Sequence, residues 1–379
     1  MIKSHSILIQ LCPRLSAGGV ERGTIDIAVA AKNAGFKSIV ISGGGFLEKE
    51  LKEHQIQHIQ LPIYSKNPIR FISNLFHLKK LFKELQPNIV HPHSRIPTWL
   101  VYLLSKQSSF KWLTSCNGIH SLDKLGLKKI YNGVLIKGPK IITNSEFTKK
   151  YLVDHYPVQA DRIQVIYRGI DLEKFNPNLI NSSEIQNCRD QWSIAPETIA
   201  ILLPGRLCRL KGQHLLIEAA HRLKTKFITN FVCLLVGNDQ NLSYVSLLKK
   251  QIQDYGLEAN IIMTGESQNL KLYYAASDII LSTSIQPEAF GRTIVEAQLM
   301  KKPIIASAHG GACETIIDGK TGWLFTPSDA ESLANTILKV VQLPKDALTT
   351  VVEHAAKEAT RLYSKEKMCG EYLKLYEEL

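Results

Sequence analysis

Short apolar runs alternate with longer helical patterns along almost the whole chain, and this alternation constrains the fold more than any other feature. In the first half, Ile7–Cys12, Lys37–Ser42 and Lys111–Cys116 are each followed by apolar residues at helical spacing. The pattern starts afresh with Ile199–Leu203 and Phe231–Val236. Strands that alternate with helices in this way form doubly wound parallel sheets, so the sequence predicts an α/β protein.

The alternation is interrupted once, at the polar and turn-rich stretch Gly169–Ser193, which we interpret as a linker. A chain of 379 residues exceeds the usual size of one domain. We therefore expect two Rossmann-like domains, residues 1–170 and 171–364, facing each other across a cleft. Residues 365–379 are expected to form a helix that packs back on the N-terminal domain. The helical pattern from Lys345 onward has a potential break at 368–370.

The net charge of +12 is concentrated in the first half of the chain. Residues 1–175 hold 25 Lys and Arg against 12 Asp and Glu, and residues 66–150 hold 15 against 3. This concentration predicts an anionic partner, namely a membrane surface, a phosphorylated glycolipid or nucleic acid. A solvated basic surface explains the charge equally well.

Several features indicate the compartment. No apolar run approaches the roughly 18 residues of a membrane span, and the start resembles a first strand rather than a signal peptide. The 7 cysteines are scattered without a C-x-x-C pair. This usage favours reduced cytosol, so we expect a cytoplasmic protein, with peripheral attachment to the inner face of the cytoplasmic membrane as an option.

The stretch Ser282–Glu296 is predicted to be a loop and the first turns of a helix, because it follows the apolar run Ile279–Leu281. An open parallel sheet binds its ligand beyond the carboxyl ends of its strands, where this loop must lie. The start of the helix offers unpaired N–H groups to a phosphate. Glu288 and Glu296 can accept hydrogen bonds from hydroxyl groups. A loop that suits both sugar and phosphate predicts a site for a nucleotide sugar.

Two other strand ends carry residues that suit a pyrophosphate. Arg206 and Lys211 lie in the turn after Ile199–Leu203, where an Arg fork and a Lys charge could neutralise it. Gly18 and Gly19 follow the first strand and permit close approach of the backbone to a ligand. Two weaker signals also lie at the ends of predicted strands. Gly237 and Asn238 form one, Thr264 and Gly265 form the other, and a base could dock at either.

Polar residues also follow strands in the first half. His91, His93, Asn117 and His120 could each orient a sugar, and the histidines could share a proton. The sequence contains no H-E-x-x-H pattern and no Asp-x-Asp pattern, so no metal ligand is expected. The nucleophile elbow G-x-S-x-G is also missing.

Together these motifs resemble those of the retaining glycosyltransferases of family 4 (glycosyl transferase group 1), which have the GT-B fold. The resemblance covers nearly the whole chain. Its carriers are Gly18-Gly19-Val20-Glu21-Arg22, Ser145-Glu146-Phe147, residues 165–171 with Phe175, Gly205-Arg206 with Lys211-Gly212, and the E-x7-E motif Glu288–Glu296. His91-Pro92-His93-Ser94-Arg95 resembles the H-x-x-S-R of bacterial members that build lipopolysaccharide and the cell envelope.

The resemblance implies a role for each matching residue. Glu288 would hold the donor sugar and Glu296 the ribose, while Arg206 and Lys211 would bind the pyrophosphate. The catalytic residues expected are Glu288, Arg206, Lys211, Asn117 and His120. The donor-binding residues expected are Gly18, Gly19, Gly237, Asn238, Thr264, Gly265, Phe290, Gly291, Arg292, Thr293 and Glu296. The N-terminal domain would bind the acceptor and the C-terminal domain the donor.

One position departs from the family pattern. Related sequences commonly have T-x-H-G after the fifth strand, and the His touches the donor sugar. Here Asn117 occupies that position. Asn can bond a hydroxyl but cannot carry a proton charge. Either His120 takes over the contact or the donor differs.

The resemblance predicts a hexosyltransferase that moves a sugar from a UDP-, GDP- or ADP-sugar to a lipopolysaccharide-core or lipid-linked acceptor. The reaction would proceed with retention, and no metal, cofactor or enzyme nucleophile is expected. The alternative is a non-hydrolysing sugar-nucleotide epimerase on the same fold. A nucleic-acid-binding protein is a further alternative, but no RNP-like, zinc or basic-helix signature is present, so no nucleic-acid partner is expected.

Overall fold

The computed structural model describes residues 6–379 apart from residues 17, 120–125, 227, 229, 239 and 268. The chain divides into two compact units. Unit 1 comprises Met1–Gly169 together with Lys365–Leu379, and unit 2 comprises Ile170–Ser364. Each unit has its own sheet with helices around it.

Unit 1 contains a parallel sheet of seven strands in the order β3-β2-β1-β4-β5-β6-β7. The strands are β1 Ile7–Cys12, β2 Lys37–Ser42, β3 Gln57–Gln60, β4 Ile89–Pro92, β5 Lys111–Cys116, β6 Lys140–Thr143 and β7 Ile163–Val165. The helices between them are α1 Gly19–Asn33, α2 Glu48–Glu53, α3 Pro68–Leu85, α4 Arg95–Ser105, α5 Leu127–Asn132 and α6 Glu146–His155.

Unit 2 contains a parallel sheet of six strands in the order β10-β9-β8-β11-β12-β13. The strands are β8 Ile199–Pro204, β9 Phe231–Val236, β10 Ile261–Gly265, β11 Ile279–Ser282, β12 Ile304–Ser307 and β13 Trp323–Phe325. The helices are α7 Ser182–Gln191, α8 Gln213–Lys226, α9 Leu242–Asp254, α10 Leu270–Ala276, α11 Arg292–Leu299, α12 Ala312–Thr315, α13 Ala330–Val341 and α14 Lys345–Tyr363.

Both sheets confirm the predicted doubly wound architecture. In each of them the strand order reverses at one point, between β1 and β4 in unit 1 and between β8 and β11 in unit 2. The crevice beyond the carboxyl ends of the strands at such a reversal is where this fold binds ligands. The inner strands are buried on both faces, as in β9, where every residue from Phe231 to Val236 is buried. Each such large side chain contributes about 1.5–3 kcal/mol to folding.

Within the predicted linker Gly169–Ser193, residues 182–191 form the helix α7, which the sequence analysis did not predict. Asn181 and Glu184 form a capping box at the start of this helix. Arg189 then anchors the helix to unit 2, because its guanidinium donates hydrogen bonds to the carbonyl oxygens of Thr198 (2.6 Å) and Ala276 (3.0 Å).

The last helix, α15 (Lys365–Glu378), belongs to unit 1. The predicted break at 368–370 is wrong, since the helix is continuous there and the interruption falls at Ser364. Met368, Tyr372 and Tyr376 are buried in a core cluster with residues of β1, α1 and β5. The Tyr376 hydroxyl is hydrogen-bonded to His91 Nδ1 at 2.7 Å, so α15 reaches the polar interior of unit 1.

Candidate functional site

The turn between β8 and α8 places Arg206 and Lys211 at the carboxyl edge of the unit 2 sheet. Gly212 ends the turn in the left-handed region, with φ +70°. A Cβ atom there would overlap the carbonyl oxygen of Thr283, so only glycine permits this close approach. The Thr283 hydroxyl donates to the Lys211 carbonyl at 2.8 Å. The turn is thereby fastened to the segment that follows β11.

Lys211 and Glu288 meet directly. Lys211 Nζ donates a hydrogen bond to Glu288 Oε1 at 2.6 Å, and both side chains are 27% exposed. The Ser284 hydroxyl also donates to Glu288 Oε1. Burial alone would raise the pKa of Glu288, but the Lys211 charge and the two hydrogen bonds outweigh it and lower that pKa. Glu288 is therefore held as an ionised carboxylate.

The loop that carries Glu288 ends at Gly291, the residue before α11. Gly291 adopts the left-handed conformation, with φ +85°, and turns the chain sharply into the helix. Because the first N–H groups of a helix have no partner within it, this end of α11 suits a negatively charged group. Phe290 is buried and packs edge-on against Tyr363, with ring centroids 5.3 Å apart. The loop is thus anchored in the core of unit 2.

The connection after β12 supports this loop from behind, and the sequence interpretation missed it. Nε2 of His309 donates to the Ser284 carbonyl at 2.7 Å. The Gly311 N–H donates to the Glu288 carbonyl at 2.8 Å. A Cβ atom at Gly310 would come within 3.0 Å of the Glu288 nitrogen. The pattern His-Gly-Gly directly after an apolar strand was the available signal.

His309 also lines a small recess beside Glu288, together with Ser282, Ser284, Gly291 and Ser307. The buried atoms His309 Nδ1 and Ser307 Oγ have no hydrogen-bond partner among the described residues. Buried polar atoms of this kind are uncommon and prefer a partner. The recess can therefore accept hydrogen bonds through His309, or exchange them through Ser307, immediately beside the Glu288 carboxylate.

Glu296 lies one and a half turns into α11 and is buried. Its carboxylate accepts a hydrogen bond from the Tyr274 hydroxyl at 3.0 Å and forms an ion pair with Arg292 at 3.3 Å. Burial, and then the negative charge of Glu296, raise the pKa of Tyr274 well above its usual value. Thr293 also bonds to the Tyr274 hydroxyl. The carboxylate is therefore fixed in one orientation by its neighbours.

The remaining unit 2 positions adjoin this site through the backbone. The Leu207 N–H donates to the Asn238 carbonyl at 3.0 Å, and the Gly237 N–H donates to the Gly265 carbonyl at 2.9 Å. A Cβ atom at Gly237 would overlap the Gly205 carbonyl. The Thr264 hydroxyl donates to the Gly265 carbonyl at 3.3 Å. The turns after β8, β9 and β10 are thus packed side by side.

Arg206 differs from the other predicted phosphate ligand. Its side chain is exposed, and its guanidinium has no hydrogen-bond partner among the residues that the structure describes. Its carbonyl accepts a hydrogen bond from Gln213 at 3.0 Å, which fixes the backbone of the turn. A fixed backbone with an exposed guanidinium leaves the planar fork available to an anion.

Three of the predicted site residues that the structure describes belong to unit 1. Gly18 and Gly19 form the start of α1 after β1, and the Glu21 carboxylate folds over Gly18. Asn117 follows β5, and its carbonyl accepts a hydrogen bond from Asn144 at 3.3 Å. The buried Oδ1 of Asn117 has no partner among the described residues. His120 lies outside the described residues.

His91 and His93 are buried in unit 1 rather than open to a ligand. His91 Nε2 is hydrogen-bonded to Ser115 Oγ at 2.6 Å, and His93 Nε2 to Gln10 Oε1 at 3.0 Å. Burial, and then the charge of Arg168, lower the pKa of His91 to about 3. The expectation that these histidines share a proton with a ligand is therefore wrong, because both are held neutral.

No group of three or more metal-ligating side chains occurs in the part of the chain that the structure describes. No described helix is long and apolar enough to cross a membrane.

The site of unit 2 consists of two cationic side chains, two carboxylates and the start of a helix, at the point where the strand order of the sheet reverses. A fold and site of this kind define a nucleotide-binding α/β protein of the two-sheet type.

Comparison with known proteins identifies the family. The description "Glycosyl transferases group 1" matches residues 184–358, and "Glycosyltransferase Family 4" matches residues 17–174. A glycosyltransferase of Rickettsia africae is 35% identical, with 98% of both chains covered and a TM-score of 0.89. The chain belongs to glycosyltransferase family 4 and has the GT-B fold.

Two further relatives are more distant. The Anabaena protein HepE, solved in complex with UDP-glucose, is 23% identical over 98% of this chain and all of that one, with a TM-score of 0.85. A D-inositol 3-phosphate glycosyltransferase of Corynebacterium urealyticum is 27% identical over an aligned region that covers 78% of this chain and 72% of the relative. None of these relatives supports the epimerase alternative.

Proposed function

We propose that the protein transfers a hexose from a nucleoside-diphosphate sugar to a lipid-linked or lipopolysaccharide-core acceptor, with retention of anomeric configuration. The observation that carries the donor half is the contact between Lys211 and Glu288 beside the start of α11. One cation, one carboxylate and one helix start lie together, which matches a ligand that joins a pyrophosphate to a sugar.

In the proposed complex, Arg206 and Lys211 bind the pyrophosphate and Glu288 accepts hydrogen bonds from sugar hydroxyls. Glu296 accepts hydrogen bonds from the ribose, and Phe290 and Gly291 offer backbone N–H groups. The base lies against the turns that hold Gly237, Asn238, Thr264 and Gly265. The support for these roles is that the turns adjoin one another and that the Arg206 guanidinium is exposed.

The proposed chemistry places no enzyme atom in a covalent intermediate. As the bond between sugar and phosphate breaks, negative charge grows on the departing nucleoside diphosphate. Arg206, Lys211 and the N–H groups at the start of α11 stabilise that charge, which is the main demand on the protein. The departing phosphate oxygen accepts the proton of the acceptor hydroxyl. In this proposal the reaction needs no metal and no cofactor.

The donor and acceptor classes follow from the relatives and from the charge of the chain. UDP-glucose, bound by the HepE structure, is the first donor to test. The excess of Lys and Arg over residues 66–150 suits an acceptor that carries phosphate or lies at an anionic membrane. The name of the Corynebacterium relative makes inositol phosphate a second acceptor to test. Asn117 of unit 1 is proposed to hydrogen-bond a sugar hydroxyl.

Donor turnover in Glu288→Ala and Arg206→Ala tests the proposal. Each substitution is expected to lower kcat/KM by at least about 100-fold, since each removes a charged group beside the reacting atoms. Lys249→Ala on α9 is the matched control for loss of a charge in unit 2. Undiminished rates in both site variants would remove the site assignment. Conversion of the donor without acceptor would favour an epimerase instead.

A further inference from the structure

The outward face of α3 in unit 1 carries large apolar side chains in contact with solvent. Ile69, Ile72 and Phe76 are 78%, 54% and 68% exposed. Their spacing of i, i+3 and i+7 places them on one side of the helix. A single exposed apolar side chain is ordinary, but three on one helix face form a contiguous patch that calls for a binding partner.

Folding does not account for this patch, because α3 has a separate face that builds the core. Leu78 and Phe82 are buried in a cluster with β1, β2 and α4, and Phe71 and Leu75 pack against it. The two faces point in opposite directions around the helix. The start of the helix is also fixed, since the Asn67 side chain accepts hydrogen bonds from the N–H groups of Ile69 and Arg70.

Basic side chains continue the apolar patch along the same face. Lys79, Lys80 and Lys83 follow Phe76 by one to two turns and are exposed. The only acidic residue of α3 is Glu84, whose Oε1 atom lies 3.9 Å from Lys80 Nζ. From Ile69 to Lys83 the face extends for about 20 Å along the helix axis. We define this outer face of α3 by its six residues Ile69, Ile72, Phe76, Lys79, Lys80 and Lys83.

We propose that the outer face of α3 docks unit 1 on an anionic lipid bilayer. Ile69, Ile72 and Phe76 enter the boundary between headgroups and acyl chains, while the lysines contact lipid phosphates. Apolar side chains beside lysines on one exposed helix face match the composition of helices that lie in the membrane interface. A second copy of the chain does not fit this face, because its lysines would meet like charges in a parallel pairing of the helices and apolar side chains in an antiparallel one.

The proposal deepens the membrane association that the proposed function contains, and it names the surface responsible. It predicts that the full chain binds vesicles of phosphatidylcholine with about 30% phosphatidylglycerol more tightly than vesicles of phosphatidylcholine alone. Added salt weakens this preference because it screens the lysines. Sedimentation with the vesicles at low and high salt measures both effects.

Two variants separate the apolar from the basic contribution. The triple variant Ile69→Ser, Ile72→Ser, Phe76→Ser is expected to bind anionic vesicles at least tenfold more weakly. The triple variant Lys79→Gln, Lys80→Gln, Lys83→Gln is expected to lose the preference for anionic over neutral vesicles. The substituted side chains are exposed, so the thermal unfolding midpoint and UDP binding should remain those of the unmodified chain.

The matched control is Leu242→Ser with Leu247→Ser on α9 of unit 2, where the two leucines are 72% and 46% exposed. It is expected to bind vesicles like the unmodified chain. Unchanged binding by the Ile69, Ile72, Phe76 variant, or no binding by the unmodified chain, would overturn the proposal. Loss of transfer activity in Glu288→Ala with vesicle binding intact tests the proposed function separately from this surface.

Discussion

The ammonium group of Lys211 and the carboxylate of Glu288 are 2.6 Å apart, although they come from two different strand-to-helix connections of unit 2. In the proposed complex each group also contacts the ligand, since Lys211 binds the pyrophosphate and Glu288 binds the sugar. Their contact keeps each charge compensated before the ligand arrives. The pair therefore links the two halves of the proposed donor site.

Replacement of Lys211 by Met should weaken the binding of a nucleoside diphosphate at least tenfold, which corresponds to about 1.4 kcal/mol. The substitution removes the charge but keeps much of the side-chain length. Isothermal calorimetry with UDP and GDP measures the effect. Lys249→Met, on an exposed face of α9, is the control and should bind as the unmodified chain does. Equal affinities for all three proteins would exclude Lys211 from the phosphate site.

The ionisation of Glu288 should make the stability of the protein depend on pH. Its pKa in the folded protein lies below its usual value, because the contacts with Lys211 and Ser284 outweigh burial. The unfolded chain therefore binds this proton more readily. The resulting stabilisation is present above the unfolded pKa of about 4.3 and is lost as the pH falls through the lower folded value.

Denaturant unfolding between about pH 3 and pH 6 checks this expectation. The free energy of unfolding should fall more steeply on acidification in the unmodified chain than in Glu288→Gln, which cannot titrate at this position. Parallel curves for the two proteins would show that Glu288 does not contribute to the pH dependence. Glu331→Gln, on the exposed start of α13, serves as a control for the substitution.

His309 should act as a positioning residue for the loop that carries Glu288. Its Nε2 atom holds the Ser284 carbonyl at 2.7 Å, and the Ser284 hydroxyl bonds to Glu288. His309→Gln can retain a donor near the Nε2 position, whereas His309→Asn cannot reach as far. We expect Asn to lower kcat/KM at least tenfold and Gln to restore most of that loss. Equal losses in both variants would argue against positioning through Ser284.

Gly212→Ala should destabilise unit 2 and impair donor binding together. The new Cβ atom would meet the Thr283 carbonyl at a residue with φ +70°. Gly256→Ala is the matched control, because Gly256 also has positive φ (+60°) but has open space around its Cβ position. We expect Gly256→Ala to cost about 1 kcal/mol and to leave UDP affinity unchanged, and Gly212→Ala to cost more. Chemical denaturation measures the stability of each variant, and titration calorimetry measures its affinity for UDP.

The two sheets were predictable because a strand buried on both faces leaves a nearly continuous apolar run in the sequence. The turn at Arg206 and the loop at Glu288 were predictable for a related reason, since the carboxyl ends of parallel strands meet at one edge. The helix α7 was missed although Asn181 and Glu184 stand at capping-box spacing. Its two apolar residues, Ile185 and Cys188, were too few to outweigh the surrounding turn residues.

The contacts of His309 and the burial of His91 could not be read from the sequence in the same way. His309 contacts Ser284 across 25 residues of chain, and His91 contacts Tyr376 across 285. In the sequence, a histidine at a strand end that is exposed to solvent cannot be distinguished from one that is buried by a distant tyrosine. The helix α15 places Tyr372 and Tyr376 against His91, which helps to bury it and to keep it neutral.

The position of α15 also has a consequence for biosynthesis. Residues 365–379 complete the core of unit 1, yet they leave the ribosome after the whole of unit 2 has been made. The nascent chain therefore exposes the apolar surfaces of Leu8, Ile27 and Leu113 until Tyr372 and Tyr376 emerge. Domains usually fold in the order of synthesis. Here the unit that is synthesised first is the one that is finished last.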